Sequence, residues 1–307
     1  MKIVYMGTPD FAVPGLLRLI QDGHQIAGVF TQPDKPKGRK QVLTMPPVKE
    51  TALSHGIPVF QPDKMRDGKA YAMLREIGPE LIVVVAYGKI LPADILQLPR
   101  YGCVNVHGSL LPQYRGAAPV QWSVIRGETV TGVTTMRMDA GVDTGDILQT
   151  ASTAIGPDET SGELYARLAQ MGAELLSDTV AKLAAGSLTQ TKQDHANATY
   201  APMLGKELSP VDWHKPAQAV HNLVRGLSPW PTASTTLDGK KLKIHRTVLG
   251  GGGKGEPGTV LSETPLRVMC GDGNAVQIEE LQYEGGKRMA AADFVRGHRI
   301  PAGTKLG

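Results

Sequence analysis

Short apolar runs alternate with amphipathic segments over the first part of the chain. Strands are predicted where β-branched and apolar residues run together, at Lys2–Met6, Gln25–Phe30, Leu81–Ala86 and Cys103–His107. Helices are predicted between them, at Ala12–Gln21, Pro46–His55 and Lys69–Ile77. Strands that alternate with helices form βαβ units, so we expect an α/β fold with a Rossmann-like, mostly parallel sheet and helices on both faces.

A long helix is predicted after this alternation, over Thr160–Ala185, because its leucines and other apolar residues recur at helical spacing. Thr160 and Glu163 have the spacing of a capping box, and Gly186 suits a helix C-terminus. Beyond Gly186 the periodicity is lost, and the polar composition predicts a linker over 188–206.

The last third of the chain has the pattern of a β-rich domain. A helix is predicted over Pro216–Leu227, and short β-like runs follow at Ala233–Leu237, Lys241–Leu249, Gly258–Leu261, Leu266–Cys270 and Ala275–Tyr283. Short strands at close spacing predict a small, OB-like β-barrel. We therefore expect an α/β domain over 1–187, a linker over 188–206 and a β-barrel domain over 207–307.

Two polar side chains stand at the end of the fourth predicted strand. Asn105 and His107 are two residues apart, which places both on one face of an extended strand. A carboxamide and an imidazole side by side can address one developing oxyanion, and the imidazole can also move a proton. The alternatives are structural: a histidine satisfied within the fold, and an asparagine that bonds its own backbone. Ligands of open α/β sheets bind beyond the carboxyl ends of the strands, which favours chemistry here.

Two loops are candidates to complete this site. Asp139–Asp146 alternates glycines with acids, and we expect it to bring one carboxylate against His107; a surface turn and a cation-binding loop are the alternatives, although its spacing is not that of an EF-hand. Val85–Pro92 ends a strand in a glycine turn with apolar neighbours, which suits a pocket edge or an ordinary strand-to-helix loop equally.

Several cofactor classes are disfavoured. The loop after the first strand contains Gly7 but lacks the GxGxxG pattern, and the sequence has no GxxxxGK[ST] motif, which argues against nicotinamide, flavin and P-loop enzymes. Cys103 and Cys270 are far apart and have no metal-ligand spacing, so we expect no metal and a reduced, cytoplasmic protein. We expect neither a signal peptide nor a membrane span, and no coiled-coil pattern suggests an oligomer, so a monomer is expected.

A basic loop follows the second predicted strand. Within Thr31–Gln41 only Asp34 opposes four basic residues, Lys35, Lys37, Arg39 and Lys40. Such a loop is expected to stay mobile and solvated without an anionic partner, and phosphates are a natural one.

The charge of the C-terminal third adds to this expectation. The chain has a net charge of +4, and its last 103 residues, from Gly205 to Gly307, contain 14 Lys and Arg against 10 Asp and Glu. The whole excess therefore lies there, which suggests an anionic partner for this domain or ordinary scatter.

Four motifs together resemble the methionyl-tRNA formyltransferase family of the folate-dependent formyltransferase superfamily. They are GTPDFA, TQPDKPKGRK, NVHGSLLPQYRGAAPVQW and DAGVDTGDIL. The resemblance runs from residue 3 into the C-terminal domain. It implies formyl transfer from 10-formyltetrahydrofolate to the free amino group of methionyl initiator tRNA, for translation initiation, without a metal.

The resemblance also implies roles for individual residues. The catalytic set falls on Asn105, His107 and Asp143. The folate site falls on Ser109, Leu110, Leu111, Pro112, Tyr87, Gly88, Ile90, Asp139 and Gly141. Contacts with the tRNA acceptor end are implied for Lys35, Lys37, Arg39 and Lys40, although this loop has a shorter run of Gly and Lys than related members often have. The 1–187 and 207–307 domains are implied to be catalytic and tRNA-binding, respectively.

Three other functions remain as alternatives. A formyltransferase acting on an amino-sugar nucleotide would share the HGSLLP-type motif and the two domains, but it would not need a long basic loop. A glycinamide ribonucleotide formyltransferase would need a single domain. A non-catalytic RNA-binding protein would use the C-terminal barrel alone and would not need Asn105, His107 and Asp143.

Overall fold

The computed structural model describes residues 1–37 and 41–307. The chain forms two compact units: the first is made of Met1–Gly116, Gly132–Thr153 and Tyr165–Tyr200, and the second of Ala117–Thr131, Ala154–Leu164 and Ala201–Gly307. The chain thus leaves the first unit and returns to it. The expected sequence domains, with boundaries at 187 and 206, stay a prediction.

The helices and strands have the following bounds. The strands are β1 (Lys2–Gly7), β2 (Gln25–Phe30), β3 (Lys35–Lys37), β4 (Val42–Thr44), β5 (Val59–Phe60), β6 (Leu81–Val85), β7 (Cys103–His107), β8 (Arg115–Gly116), β9 (Val130–Arg137), β10 (Ile147–Ala154), β11 (Tyr200–Ala201), β12 (Ala233–Leu237), β13 (Lys240–Gly252), β14 (Val260–Ser262), β15 (Arg267–Met269), β16 (Asn274–Tyr283) and β17 (Met289–Ala290). The α-helices are α1 (Val13–Gln21), α2 (Pro47–Ser54), α3 (Lys69–Ile77), α4 (Ala93–Leu96), α5 (Pro119–Ile125), α6 (Ser161–Ala184), α7 (Ala217–Gly226) and α8 (Ala291–Gly297).

A seven-stranded sheet forms the centre of the first unit, in the order β10-β9-β7-β6-β1-β2-β5. The pairs β1–β2, β1–β6, β2–β5 and β6–β7 are parallel, and β9 pairs antiparallel with β7. Every residue of β6 and β7 is buried, which is expected of strands covered on both faces. The predicted α/β architecture is confirmed, and its mostly parallel sheet places the carboxyl ends of β1, β6 and β7 at one edge.

An antiparallel sheet forms the centre of the second unit, which confirms the β-rich C-terminal domain that the short runs predict. Its strand order is β12-β13-β16-β15-β14, and β17 pairs with β16. The long strand β13 shifts register against β16 at three points, which bends and twists it. The hydrophobic core of the second unit includes Trp213, Leu242, Val268, Leu281 and Phe294.

The described part of the basic loop contains a strand. Lys35–Lys37 and Val42–Thr44 form an antiparallel ladder, with Lys35 opposite Thr44 and Lys37 opposite Val42. Charge repulsion among the lysines acts on side chains, whereas the ladder uses backbone groups, so the two are compatible. The expectation of a loop throughout Thr31–Gln41 is therefore wrong at Lys35–Lys37, and its part at residues 38–40 lies outside the described residues.

Both thiols are buried and free. Burial raises the pKa of the Cys103 thiol to about 12 and that of Cys270 to about 11. Neither is therefore a candidate nucleophile at neutral pH. Within residues 1–37 and 41–307, no three His, Cys, Asp or Glu side chains cluster in a way that could hold a metal ion. Nor does any helix of those residues have the length and apolarity that crossing a membrane requires.

Candidate active site

The carboxyl end of β7 carries the two polar residues singled out by their spacing. Asn105 lies opposite Val84 of β6 and Met136 of β9, and His107 lies opposite Thr134. Both are buried, with 8% and 6% of their surface exposed. Because they are two residues apart on a regular strand, their side chains share one face of the sheet.

The Asn105 carboxamide makes no side-chain hydrogen bond to residues 1–37 and 41–307. It is not fully enclosed, because the fully buried side-chain atoms of those residues that lack a partner belong to His245 and Arg267. The amide can therefore reach water in the free protein and is available to a ligand. Its N–H groups are suited to donate to a developing oxyanion.

His107 is held by the chain that follows it. Its Nε2 lies 2.8 Å from the carbonyl oxygen of Tyr114. A carbonyl only accepts hydrogen bonds, so Nε2 carries a hydrogen and Nδ1 is left as the nitrogen that gains or loses a proton. Nδ1 lies 3.6 Å from Oδ2 of Asp143. The carboxylate thus stands beside the nitrogen at which positive charge would appear.

Asp143 itself is fixed by its surroundings. Its Oδ2 accepts the backbone N–H of Gly116 at 2.8 Å, and its carbonyl oxygen accepts Gln193 Nε2 at 2.9 Å. Its φ of 54° lies in the left-handed region, which is uncommon for a residue with a side chain. Such a conformation costs energy and persists when surrounding contacts enforce it.

The glycines of the Asp139–Asp146 loop are sterically required. A Cβ on Gly145 would lie 1.7 Å from the carbonyl oxygen of Arg137, and one on Gly141 would lie 2.0 Å from Thr144 Oγ1. Asp139 Oδ1 accepts hydrogen bonds from Gly141 N at 3.0 Å and Thr144 Oγ1 at 2.6 Å. Asp139 therefore folds the loop that presents Asp143.

The segment Ser109–Pro112 follows β7 directly. Ser109 Oγ donates to the Gln113 carbonyl at 2.6 Å, so its hydroxyl shapes the turn. Thr134 Oγ1 donates to the Ser109 carbonyl at 2.7 Å and accepts Leu111 N at 3.1 Å. Leu111 is buried, and Leu110 and Pro112 are half-buried. These hydrogen bonds fix the conformation of a mainly apolar segment that directly follows Asn105 and His107 in the sequence.

The turn after β6 combines a buried and an exposed part. Tyr87 is 1% exposed, and its hydroxyl donates to Met65 Sδ at 3.3 Å. Burial raises the pKa of Tyr87 far above its usual range. Gly88 has a φ of 77°, and Ile90 is exposed. The Tyr87 ring therefore belongs to the core, while Gly88 and Ile90 remain accessible.

The basic residues are only partly described. Lys35 is exposed and lies in β3. Lys37 is in the same strand, and its side chain lies outside the described part of the structure, as do Arg39 and Lys40. Asp34 pairs with Lys49. The Nζ of Lys49 lies 2.9 Å from Oδ1 of Asp34 and 2.8 Å from its Oδ2. The hydrogen bonds from Lys49 and Gln61 lower the pKa of Asp34. Asp34, the only acidic residue within Thr31–Gln41, is thus already paired with Lys49.

A groove of about 240 Å³ adjoins this loop. It is lined by Thr8, Pro9, Gln32, Pro33, Lys35, Pro36, Thr44, Met45, Pro46 and Pro47. The Gln32 amide donates to the carbonyl oxygens of Tyr87 and Gly88, both at 3.1 Å, which links the groove to the end of β6.

Three parts of the site escape sequence analysis. They are the Tyr114 carbonyl, the Gly116 N–H and the Gln193 side chain. The first two are backbone groups within the NVHGSLLPQYRGAAPVQW motif, whose sequence does not single them out. Gln193 lies in a segment whose composition predicts only a linker, so no local pattern marks it.

Family models match both parts of the chain. Residues 1–180 match the formyl transferase model, and residues 203–299 match the model of the formyl transferase C-terminal domain. Among curated proteins, the methionyl-tRNA formyltransferase of Geobacter metallireducens is 52% identical over 309 residues, covering 100% of this chain and 99% of that protein. The methionyl-tRNA formyltransferase of Ruminiclostridium cellulolyticum is 49% identical, covering 100% of each.

Solved structures share the fold at low sequence identity. An N-formyltransferase from Helicobacter canadensis, in complex with folinic acid and dTDP-3-aminofucose, has a TM-score of 0.69 at 18% identity, covering 91% of this chain and 98% of its own. The sugar 3N-formyltransferase WlaRD, crystallised with dTDP and 5-N-formyl-THF, has a TM-score of 0.67 at 20% identity, covering 94% and 99%.

Proposed function

Because this chain belongs to the methionyl-tRNA formyltransferase family, we propose that Asn105, His107 and Asp143 carry its chemistry. The family transfers a formyl group from 10-formyltetrahydrofolate to the amino group of initiator methionyl-tRNA, and this is the function of the chain. The single observation that supports the site is the distance of 3.6 Å between His107 Nδ1 and Asp143 Oδ2, with Asn105 on the same strand face.

The folate co-substrate supplies an activated formyl group. The methionyl amine forms a bond to the formyl carbon, and the bond from that carbon to the folate nitrogen breaks. The amine loses a proton and the departing nitrogen gains one, so the transfer is balanced without an oxidant or reductant. The carbonyl oxygen of the formyl group carries negative charge in between.

Asn105 stabilises that charge by donating a hydrogen bond. Its amide makes no side-chain hydrogen bond to the described residues, so it need not break a protein contact to do so. One such donor is typically worth about 3–4 kcal/mol of barrier.

His107 holds or moves the proton at Nδ1, since Nε2 is committed to the Tyr114 carbonyl. Asp143 stabilises the charged form of the ring and orients it, as a carboxylate beside a catalytic imidazole does. Asp143 also helps to remove the amine proton, directly or through water.

The folate pocket is proposed to be lined by residues from three segments. They are Ser109, Leu110, Leu111 and Pro112 after β7, Tyr87, Gly88 and Ile90 after β6, and Asp139 and Gly141 in the loop before β10. The apolar wall suits the faces of the folate rings, and the accessible backbone groups can hydrogen-bond to the polar edge of the pterin. Tyr87 and Ser109 contribute through their backbone positions, since their hydroxyls are bonded within the protein.

The tRNA acceptor end is proposed to meet Lys35, Lys37, Arg39 and Lys40. Support comes from the pairing of Asp34, the one acidic residue of the loop sequence, with Lys49, and from the groove beside Lys35. The excess of positive charge after Gly205 supports a second contact with tRNA. We further propose a cytoplasmic monomer that acts without a metal, to be checked by light scattering and by metal analysis of the active enzyme.

Single-turnover formyl transfer tests the catalytic assignment. Enzyme saturated with formyl-folate is mixed with charged initiator tRNA for Asn105→Ala, His107→Ala and Asp143→Ala. Each is expected to slow the chemical step by about 10²–10³-fold, because each removes a group that acts in the transition state. Near-normal transfer by all three variants would contradict the assignment. An amino-sugar nucleotide as acceptor serves as the negative control.

A further inference from the structure

The backbone of the loop that carries the proposed catalytic carboxylate is held by a buried glutamine. Gln193 Nε2 donates to the carbonyl oxygen of Asp143 at 2.9 Å and to that of Gly145 at 2.6 Å. Gln193 is 5% exposed. It therefore binds the loop backbone on both sides of Thr144. One of its two acceptors belongs to Asp143, the residue whose φ is 54°.

A buried arginine fixes this glutamine in turn. Arg115 Nε and one Nη lie 3.1 and 2.6 Å from Gln193 Oε1, and the same Nη lies 3.0 Å from His195 Nδ1. Arginine only donates and a carbonyl only accepts, so the amide has one possible orientation. Its oxygen faces Arg115 and its nitrogen faces the loop.

The tripeptide Tyr114-Arg115-Gly116 thus reaches both catalytic partners. The Tyr114 carbonyl holds His107, the Gly116 N–H holds the Asp143 carboxylate, and the Arg115 side chain holds Gln193. Backbone hydrogen bonds between Ile147 and Thr191, at 2.8 and 2.9 Å, bring the segment of Gln193 to the start of β10.

We propose that Gln193, oriented by Arg115, is a positioning residue that sets the loop conformation in which Asp143 faces His107. This inference rests on the proposed role of Asp143. Gln193 touches no reacting atom; it acts through the backbone of Asp143 and Gly145. Its contribution is to hold in place a left-handed conformation that Asp143 would otherwise leave.

The substitution Gln193→Glu separates its two tasks. A glutamate keeps the hydrogen bonds from Arg115 but presents an oxygen, which cannot donate, to two carbonyl oxygens. We expect kcat to fall by about 10- to 100-fold, as displacements near 1 Å can do, while KM for folate and for tRNA changes less than about twofold. The matched control is Gln190→Glu, the same substitution at an exposed residue of the same segment, with activity expected to be unchanged.

A double-mutant cycle distinguishes positioning from general structural damage. In an Asp143→Ala background, Gln193→Glu is expected to slow transfer by less than about twofold further, because its route to the reaction is already removed. Gln193→Met, which has similar length and neither donates nor accepts strongly, is measured in the same cycle in case the glutamate variant does not fold.

The outcomes are distinct. If Gln193→Glu or Gln193→Met has a normal kcat while Asp143→Ala transfers the formyl group slowly, this inference is overturned and the proposed role of Asp143 stands. Full additivity in the cycle also overturns it. Normal transfer by Asp143→Ala overturns both this inference and the proposed role of Asp143.

Discussion

At the scale of single residues, the site combines an accessible polar group with a strained backbone. The Asn105 carboxamide has no hydrogen-bond partner among the described residues but is not fully enclosed, and Asp143 has a φ of 54°. The backbone conformation of Asp143 costs about 1–3 kcal/mol, whereas an amide that reaches water carries no such cost. An accessible donor and an enforced backbone conformation are both expected where a ligand completes the hydrogen bonding.

The contributions of the Asn105 side chain to stability and to transfer can be separated by the substitution Asn105→Leu. This substitution breaks no side-chain hydrogen bond to the described residues, so we expect the free energy of unfolding to change by less than about 1 kcal/mol. The same variant loses the oxyanion donor, so the rate of transfer falls by about 10²–10³-fold. Urea unfolding and single-turnover kinetics measure the two effects.

A bonded asparagine provides the control for that variant. Asn222 is also buried, but its Oδ1 accepts hydrogen bonds from Arg225 Nε and Gln218 Nε2, both at 3.0 Å. Asn222→Leu leaves these donors unpaired and is expected to destabilise the protein. An equal loss of stability in both variants would show that the Asn105 amide has a partner in the folded protein.

At the scale of elements, the start of α6 shows how a local pattern determines structure. Thr160 N and Oγ1 both donate to Glu163 Oε2 at 2.8 Å, and Glu163 N donates to Thr160 Oγ1 at 3.2 Å. The capping box predicted from two residues is confirmed. These hydrogen bonds from Thr160 lower the pKa of Glu163.

The cap makes a pH-dependent contribution to stability. Because its pKa is lower in the folded state, the Glu163 carboxylate stabilises the fold above its unfolded pKa, and this contribution is lost as pH falls through the folded value. Thr160→Ala is expected to cost about 1 kcal/mol at neutral pH, and this cost should narrow below about pH 4. Urea unfolding of the protein and the Thr160→Ala variant, at neutral pH and below about pH 4, measures this change in cost. Thr189→Ala, at an exposed threonine, should show no effect, and a pH-independent cost for Thr160→Ala would contradict the argument.

Elements and strand-end residues could be predicted because their signals are local. The residues of β7 and the shared face of Asn105 and His107 follow from periodicity alone. Gln193 could not be predicted in this way, since its proposed role depends on a hydrogen bond to a carbonyl group 50 residues away in the sequence. The two-residue strand β5 likewise depends on its partner β2 rather than on its own composition. The proposed catalytic carboxylate needed the family resemblance to single out Asp143 among the acids of its loop.

At the scale of the whole molecule, charge and chemistry are separated along the chain. The neutral first two thirds contain the proposed catalytic residues, whereas the excess of Lys and Arg lies after Gly205. The four basic residues of Thr31–Gln41 are the exception. We therefore expect salt to weaken tRNA binding strongly and folate binding little, because phosphate contacts release counterions.

The basic loop can be tested through that salt dependence. Arg39→Ala is expected to raise KM for charged tRNA and to reduce the slope of log affinity against log salt concentration by about 1, while the folate dissociation constant stays unchanged. Arg75→Ala, at an exposed arginine of α3 outside the loop, is the control for the loss of one positive charge. The two variants carry the same net charge, so a difference between them isolates a local phosphate contact from the general field of the protein. Equal salt slopes for Arg39→Ala and Arg75→Ala would contradict a direct contact between Arg39 and the tRNA.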